Sequence, residues 1–566
     1  MSERENDGSL TALPGRHDPS DEGRGTAAAR PGAGAPGAAR PGVVYLVGAG
    51  PGDPGLFTQR GAELLATADV VLHDELVHPA LLDGVREGAE VRSVGKRGGD
   101  RVLKDAKQAE IDAELVALGL AGRSVVRLKG GDPFLFGRGS EEAEALARAG
   151  VPFEVVPGVC SPLGATAYAG ISLTHRNIAS SVMIVSGVTR AGKGFDWSEL
   201  ASVRGTICVL MGMQALDTVV AGLTGPGRRD PATPAAAIQW GTRADQRVVT
   251  TRLDELPRRA REAGLQSPAV IVVGAVTRLR DALRWFDRKP LFGKRVLVTR
   301  PRHQARSTSR LIRLRGGEAV ELATIEIHPP PDPARVTEAV RGLSGYDAVV
   351  FTSENGVACF FREMERLGLD ARAFGSARLA AIGVGTAAAL AARGVRADIV
   401  PGEFRGEELA QALLADPALA ERLAARAGRP GVRVLLPRAL VAREVLPERL
   451  RAAGCEVDVV PVYETRPAST ERREELLRAL SAGAIDVVLL TSSSTVDSLC
   501  DLLGEGAAAR LDGVLLASIG PITTATAEKR GLRIGVTAEV STTAGLLDAL
   551  DRYFAAQQAV PASAGE

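Results

Sequence analysis

Val43-Val44-Tyr45-Leu46-Val47 runs directly into Gly48-Ala49-Gly50-Pro51-Gly52-Asp53-Pro54-Gly55. A short apolar run rich in β-branched residues reads as a strand, and the glycines as the turn that leaves it. A helical pattern follows from Leu56 to Ala68, then a second apolar run, Asp69-Val70-Val71-Leu72. This strand–turn–helix–strand rhythm predicts a parallel sheet covered by helices and sets the fold class as α/β. Further strands are predicted at Ser124–Leu128, Phe153–Val156, Val182–Val185, Thr206–Leu210 and Ala269–Val273. The Pro157-Gly158 break reads as a joint between two subdomains.

The glycine turn resembles a dinucleotide fingerprint only in outline. Gly48-x-Gly50-x-Gly52 is followed about 20 residues on by an acidic residue, Asp74, as that fingerprint requires. The third fingerprint glycine falls at position 53, which is Asp53, while Pro51 and Pro54 remove backbone N–H groups that a pyrophosphate needs. The loop suits a ligand without phosphate, and a nicotinamide-linked oxidoreductase is disfavoured.

Composition narrows the rest. The 566 residues predict three or four domains at about 100–200 residues each. Lys and Arg number 69 against 68 for Asp and Glu, which argues against a bulk electrostatic nucleic-acid binder. No apolar run approaches the roughly 18–20 residues of a spanning helix. Five scattered cysteines without a C-x-x-C pair read as buried thiols in a reducing, cytoplasmic compartment, not as a disulfide framework or zinc site. Residues 1–41 lack aromatic residues and read as a disordered tail, as do residues 557–566.

Strand signals restart after Trp285-Phe286-Asp287-Arg288-Lys289-Pro290, with residues 287–293 as the linker. Beyond it lies an internal repeat. Arg295-Val-Leu-Val returns as Arg433-Val-Leu-Leu, Val350-Phe-Thr-Ser353 as Leu489-Leu-Thr-Ser492, and Ala381-Ile-Gly383 as Ser518-Ile-Gly520, all at offsets of 137–139 residues. The region reads as two similar α/β halves leaving a cleft beyond the strand carboxyl ends. That places Thr352, Ser353, Thr491 and Ser492 as candidate substrate-binding residues, with plain helix capping as the alternative for each.

Tyr45-Leu-Val-Gly-Ala-Gly-Pro-Gly-Asp53, Val94-Gly-Lys-Arg97, Val126-Arg-Leu-Lys-Gly-Gly-Asp-Pro-Phe134, Phe136-Gly-Arg138, Val156-Pro-Gly158 and Leu173-Thr-His-Arg176 resemble the uroporphyrinogen-III C-methyltransferases. The resemblance implies an S-adenosylmethionine-dependent tetrapyrrole methyltransferase over 42–286, with subdomains of about 42–157 and 158–286. It implies Asp74 as proton acceptor and Lys96 as proton donor; on residue type alone these read as a helix cap and a solvated base. By the same resemblance Pro51, Gly130, Gly131, Asp132, Leu135, Cys160, Ser161, Met211 and Gly241 contact the methyl donor. His175 and Arg176 would meet substrate carboxylates, with a structural salt bridge as the alternative. A homodimer through this module is an open expectation.

The C-terminal region, 294–556, resembles uroporphyrinogen-III synthase through Val296-Leu-Val-Thr-Arg-Pro301, Phe351-Thr-Ser-Glu-Asn-Gly-Val357, Val462-Tyr-Glu-Thr465, Ala517-Ser-Ile-Gly-Pro-Ile-Thr-Thr-Ala525 and Gly531-Leu532. It implies a chain that crosses twice between two lobes, one built from residues near 294–327 and from about 464 onward. It also implies Tyr463 as an acid, packing between strands being the alternative. Together the resemblances imply a fused enzyme that makes uroporphyrinogen III and methylates it twice to precorrin-2, with no metal. The alternatives are methylation of a later corrin intermediate and a C-terminal module that only senses tetrapyrrole.

Overall fold

Val44–Gly48 forms β1, and its side chains alternate between two cores. Val44 and Leu46 join Ile111, Leu115 and Leu146 on one face, while Tyr45 and Val47 join Leu64, Leu65 and Val126 on the other. Residues 44–47 are fully buried, so the opening run is a central strand. The computed structural model describes residues 38–95, 101–188, 197–202, 204–225, 228–300, 302–402, 405–424 and 431–559. The expected tail at 1–41 lies almost wholly outside these residues, and so does Lys96. Where the chain is first described, Ala39 N already donates to Thr67 Oγ1 and Arg40 N to the Tyr45 hydroxyl.

The chain divides into two units, one holding Pro54–Gly158 and the chain up to Ala49, the other Gly50–Asp53 and the chain from Val159 on. The first unit contains β1, β2 (Val70–His73), β3 (Glu90–Ser93), β4 (Val125–Lys129) and β5 (Phe153–Val156) in the order β3-β2-β4-β1-β5, every pair parallel.

The second unit opens with β6 (Val182–Ser186), β7 (Thr206–Leu210), β8 (Pro234–Gln239), β9 (Arg247–Arg252) and β10 (Ala269–Val273), ordered β6-β7-β10-β8-β9. Only β6 and β7 run parallel here; β10 is antiparallel to both its neighbours, and β8 and β9 form a hairpin. The parallel sheet expected from the opening strand–turn–helix–strand unit is the first sheet, and this second one is mixed. A short loop, Trp240–Gln246, joins β8 to β9, too short for the crossover a parallel pair needs.

Next come β11 (Arg295–Val298), β12 (Glu318–Glu321), β13 (Ile325–His328), β14 (Ala348–Phe351), β15 (Arg378–Ala381), β16 (Arg433–Ala439), β17 (Glu456–Pro467), β18 (Val487–Leu490), β19 (Leu515–Ser518) and β20 (Val536–Thr537). They make two further sheets, β12-β11-β18-β19-β20 and β13-β17-β16-β14-β15. The sequence repeats are not the lobes. The first repeat supplies β11 and β12 to one sheet and β14 and β15 to the other; the second supplies β16 and β17 to the latter and β18 and β19 to the former. Each lobe is thus built from half of each repeat. The crossings are β13 and the far end of β17, which pair antiparallel from Ile325↔Pro467 to His328↔Glu464.

The stretch 287–293 packs as part of the second unit. Leu291 is fully buried in a core with Val296 and Ile312, and Phe286 and Phe292 pack edge to face. The last helix, Thr543–Ala559, runs beyond the position 557 at which a tail was expected.

Candidate active sites

Asp74 follows β2 directly, at the carboxyl end of the first sheet, where ligands of parallel α/β sheets bind. Arg127 Nη2 donates to Asp74 Oδ1 at 2.5 Å and Gly130 N to Oδ2 at 3.2 Å. Burial raises the pKa of this carboxyl, but the charges of Arg127 and Lys129 outweigh that and hold it below the ordinary aspartate value. Asp74 is therefore an ionised carboxylate in a fixed orientation, with about a third of its side chain exposed (32%). It makes no helix-capping bond among the described residues.

Beneath it lies a buried charge network. Arg127 and Lys129 are two residues apart on β4, so their side chains share a face. Both reach Glu142 Oε1, from Arg127 Nε at 3.1 Å and Lys129 Nζ at 2.8 Å, and Gln108 Nε2 adds a bond at 3.3 Å. Burial, then the like charge of Arg127, lowers the Lys129 pKa against the pull of Glu142. Motif reading passes over Glu142, because an isolated glutamate in a helix reads as solvated surface.

Gly130 and Gly131 lead into Asp132, whose Oδ1 accepts from Phe134 N at 2.9 Å and Leu135 N at 3.0 Å, and whose Oδ2 accepts from Gly158 N at 3.1 Å. The Asp132 carboxylate thus fixes the loop, with acceptor capacity left over. A Cβ on Gly48 would lie 2.5 Å from Gly158 N and 2.7 Å from Gly131 O, so these three glycines let backbones cross. Leu135 stands exposed.

In the second unit, the helix Ser161–Tyr168 gathers four of the expected donor residues. Cys160 and Ser161 start it, with Cys160 at the N-cap. Pro51 packs against Gly164, and a Cβ at Gly241 would lie 2.7 Å from Ala165 Cα. Asp53 N donates to Thr242 Oγ1 at 2.9 Å, and the Tyr168 hydroxyl donates to Asp53 Oδ2 at 2.7 Å, anchoring the end of the glycine loop. Met211 has φ +54° and is 48% exposed, so it is not core packing. Trp240 and Thr242, which no motif singles out, also have positive φ on either side of Gly241. Strained backbone of this kind persists where a site requires it. His175 and Arg176 sit on an exposed turn closed by reciprocal His175–Ala179 backbone bonds, and Arg176 has no ion pair among the described residues.

In the synthase-like region, Ser353 and Ser492 are equivalent N-caps, accepting from Gly356 N at 3.0 Å and Thr495 N at 3.1 Å. Both hydroxyls therefore cap helices. Ser353 Oγ also lies 3.0 Å from the Tyr463 hydroxyl. Tyr463 is buried, and that burial pushes its phenol pKa up, so it stays protonated. Thr352 precedes Ser353, and Thr491 heads a run of hydroxyls at the ends of β18–β20 in which Ser492 bonds Ser494 and Thr495, and Ser518 bonds Thr524. Among the described residues no group of three His, Cys, Asp or Glu is placed to hold a metal, and no helix is long and apolar enough to cross a membrane.

Comparison with known proteins follows this division. Residues 43–257 match the family of tetrapyrrole (corrin/porphyrin) methylases, and residues 306–548 match uroporphyrinogen-III synthase HemD. The molecule is a bifunctional enzyme of tetrapyrrole biosynthesis, a methyltransferase joined to a uroporphyrinogen-III synthase. Porphyrin biosynthesis protein HemD of Ruminiclostridium josui is 37% identical over 511 residues, covering 90% of this chain and 97% of that protein, and the chain belongs to its family. Siroheme synthase 1 of Yersinia enterocolitica is 49% identical over 250 residues, 44% of this chain; the chain spans about half (52%) of that relative's length. The uroporphyrin-III C-methyl transferase of Thermus thermophilus, solved with S-adenosyl homocysteine, is 41% identical over 42% of this chain and 99% of its own, with a TM-score of 0.36.

Proposed function

We propose that the C-terminal module closes hydroxymethylbilane to uroporphyrinogen III, and that the N-terminal module transfers two methyl groups from S-adenosylmethionine to that product. The product is precorrin-2, at the branch toward sirohaem and cobalamin. The observation that carries the methyl-transfer reading is Asp74: an ionised, oriented carboxylate at a strand carboxyl end, held by Arg127 and Gly130. Pyrrole-carbon methylation releases a proton, and Asp74 accepts it. Lys96, outside the described residues, is the proposed proton donor in the tautomerisation that rearranges ring protons without changing their number, so each methyl transfer releases one proton net.

The residues present suit the donor. The glycine loop is poor in N–H groups because of Pro51 and Pro54, Met211 offers an exposed thioether, and Asp132 keeps free acceptor capacity. Pro51, Gly130, Gly131, Asp132, Leu135, Cys160, Ser161, Met211 and Gly241 are the proposed contacts. When bound, S-adenosylmethionine supplies an electrophilic methyl group. His175 and Arg176 hold substrate carboxylates. In the synthase module Tyr463, kept protonated by burial and bonded to Ser353, assists loss of the substrate hydroxyl, and Thr352, Thr491 and Ser492 hydrogen-bond the chain being closed. Neither reaction needs a metal. A cytoplasmic homodimer without nucleic-acid partners completes the proposal.

Supplied uroporphyrinogen III and S-adenosylmethionine are expected to give a product two methyl groups heavier by mass spectrometry; no methyl transfer would sink the N-terminal assignment. Asp74→Ala is expected to abolish methylation and leave cyclisation intact. Loss of both activities together would contradict separate modules.

A further inference from the structure

The repeat provides an internal comparison at one position. Arg295-Val-Leu-Val-Thr-Arg300 and Arg433-Val-Leu-Leu-Pro-Arg438 align residue for residue, so Arg300 and Arg438 occupy the same place at the ends of β11 and β16. Their surroundings differ. Arg438 is buried and neutralised, its guanidinium bonded to Glu444 and to the Arg443 carbonyl. Arg300 is partly buried and has no ion pair among the described residues; its Nε donates to Thr491 Oγ1 at 2.9 Å. Burial lowers the Arg300 pKa, and Glu354, which starts the helix Glu354–Arg366 of the other lobe, acts against that without reaching ion-pair distance.

A half-buried cation without a counter-ion is costly, and folds keep one where a ligand supplies the missing anion. Arg300 lies at the strand carboxyl ends beside the hydroxyl of Thr491, where α/β sheets bind ligands. The whole chain carries a formal charge of only +1, so a polycarboxylate has to be held by local cations of this kind. A guanidinium fork matches a carboxylate with two parallel bonds.

We infer that Arg300 is a substrate-binding residue of the synthase module, anchoring one acetate or propionate arm of the linear tetrapyrrole in the place where its repeat partner Arg438 holds Glu444. This rests on the synthase reading given above. The anchor fixes one end of the flexible chain while the other end swings round to close the ring. Thr491 is its positioning residue, since its hydroxyl orients the guanidinium.

Steady-state cyclisation of hydroxymethylbilane by the full chain tests it. Arg300→Gln is expected to raise KM by about 10- to 100-fold, the range of one lost charge-assisted contact, with kcat little changed. Arg300→Lys should recover part of that loss, because it keeps the charge but not the fork. Arg438→Gln should leave KM unchanged. A kcat for cyclisation close to wild type in each variant shows that the synthase module is folded. Wild-type KM in Arg300→Gln, or an equal rise in Arg438→Gln, overturns the assignment while the synthase reading stands. A wild-type chain that does not cyclise hydroxymethylbilane overturns the synthase reading and this assignment with it.

Discussion

Asp74 has a competence set by its neighbours. A carboxyl in this position, left to burial alone, would titrate above the ordinary aspartate range and be protonated over part of the working pH. Arg127 and Lys129 reverse the sign, and Glu142 keeps those two cations compatible with each other. Because the folded pKa is depressed, the ionised form and the stability it confers persist above the ordinary value and are lost only as pH falls through the lower, folded one. Replacing Arg127 removes the larger of the two opposing charges. In Arg127→Leu the acid limb of the methylation pH profile is expected to move to higher pH. The variant should also lose about 3–5 kcal/mol in denaturant unfolding, the cost of breaking a buried pair. An unmoved acid limb would show that Asp74 is not the titrating group. Asp74 was singled out by the family resemblance, as the acidic residue that follows the second predicted strand. Its support was only half legible: Arg127 and Lys129 lie in a motif, but Glu142 comes from a separate helix, and nothing local in the sequence marks a glutamate as fully buried.

At the scale of elements, the helix Ser161–Tyr168 organises much of the proposed donor site in the second unit. Pro51 packs on it through Gly164, Gly241 through Ala165, and its last residue, Tyr168, anchors Asp53. Backbone contact this close tolerates no Cβ. Gly241→Ala is therefore expected to cost about 1–3 kcal/mol of overpacking and to weaken S-adenosylmethionine binding in titration calorimetry. Unchanged affinity would place the donor away from this loop. The strands of the first two sheets legible in sequence were the buried β1, β2, β4, β7 and β10, and also the half-buried β5 and β6, whose runs are short but mostly apolar. β3 and β9 escaped because their sequences, Glu-Val-Arg-Ser and Arg-Val-Val-Thr-Thr-Arg, are broken by charged and polar residues and exposed along much of their length, whereas the edge strands β5 and β6 keep mostly apolar runs. β8 escaped because Pro-Ala-Ala-Ala-Ile-Gln carries three alanines, the strongest helix former, in a strand buried from Ala235 to Gln239.

For the whole molecule, the periodicity revealed the repeat, whereas its exchange between lobes is a matter of long-range pairing. A strand pattern specifies that β11 pairs in parallel; it does not specify that the partner is β18, nearly 200 residues away, and not β14. The exchange has a mechanical consequence. Both repeats contribute to both lobes, so neither repeat is expected to fold alone, and the doubled β13–β17 crossing is the tie between the lobes. The linker stretch is likewise packed: Leu291 sits in a lobe core, and Lys289 Nζ donates to the Leu314 carbonyl at 2.8 Å. The central claim is that one chain performs two successive reactions. Isomer-resolving chromatography coupled to mass spectrometry of the products from hydroxymethylbilane, with and without S-adenosylmethionine, tests it. Uroporphyrinogen III without the donor and its dimethylated derivative with the donor is the expected result. Only the ring-uninverted isomer, or the same unmethylated product in both reactions, would contradict it.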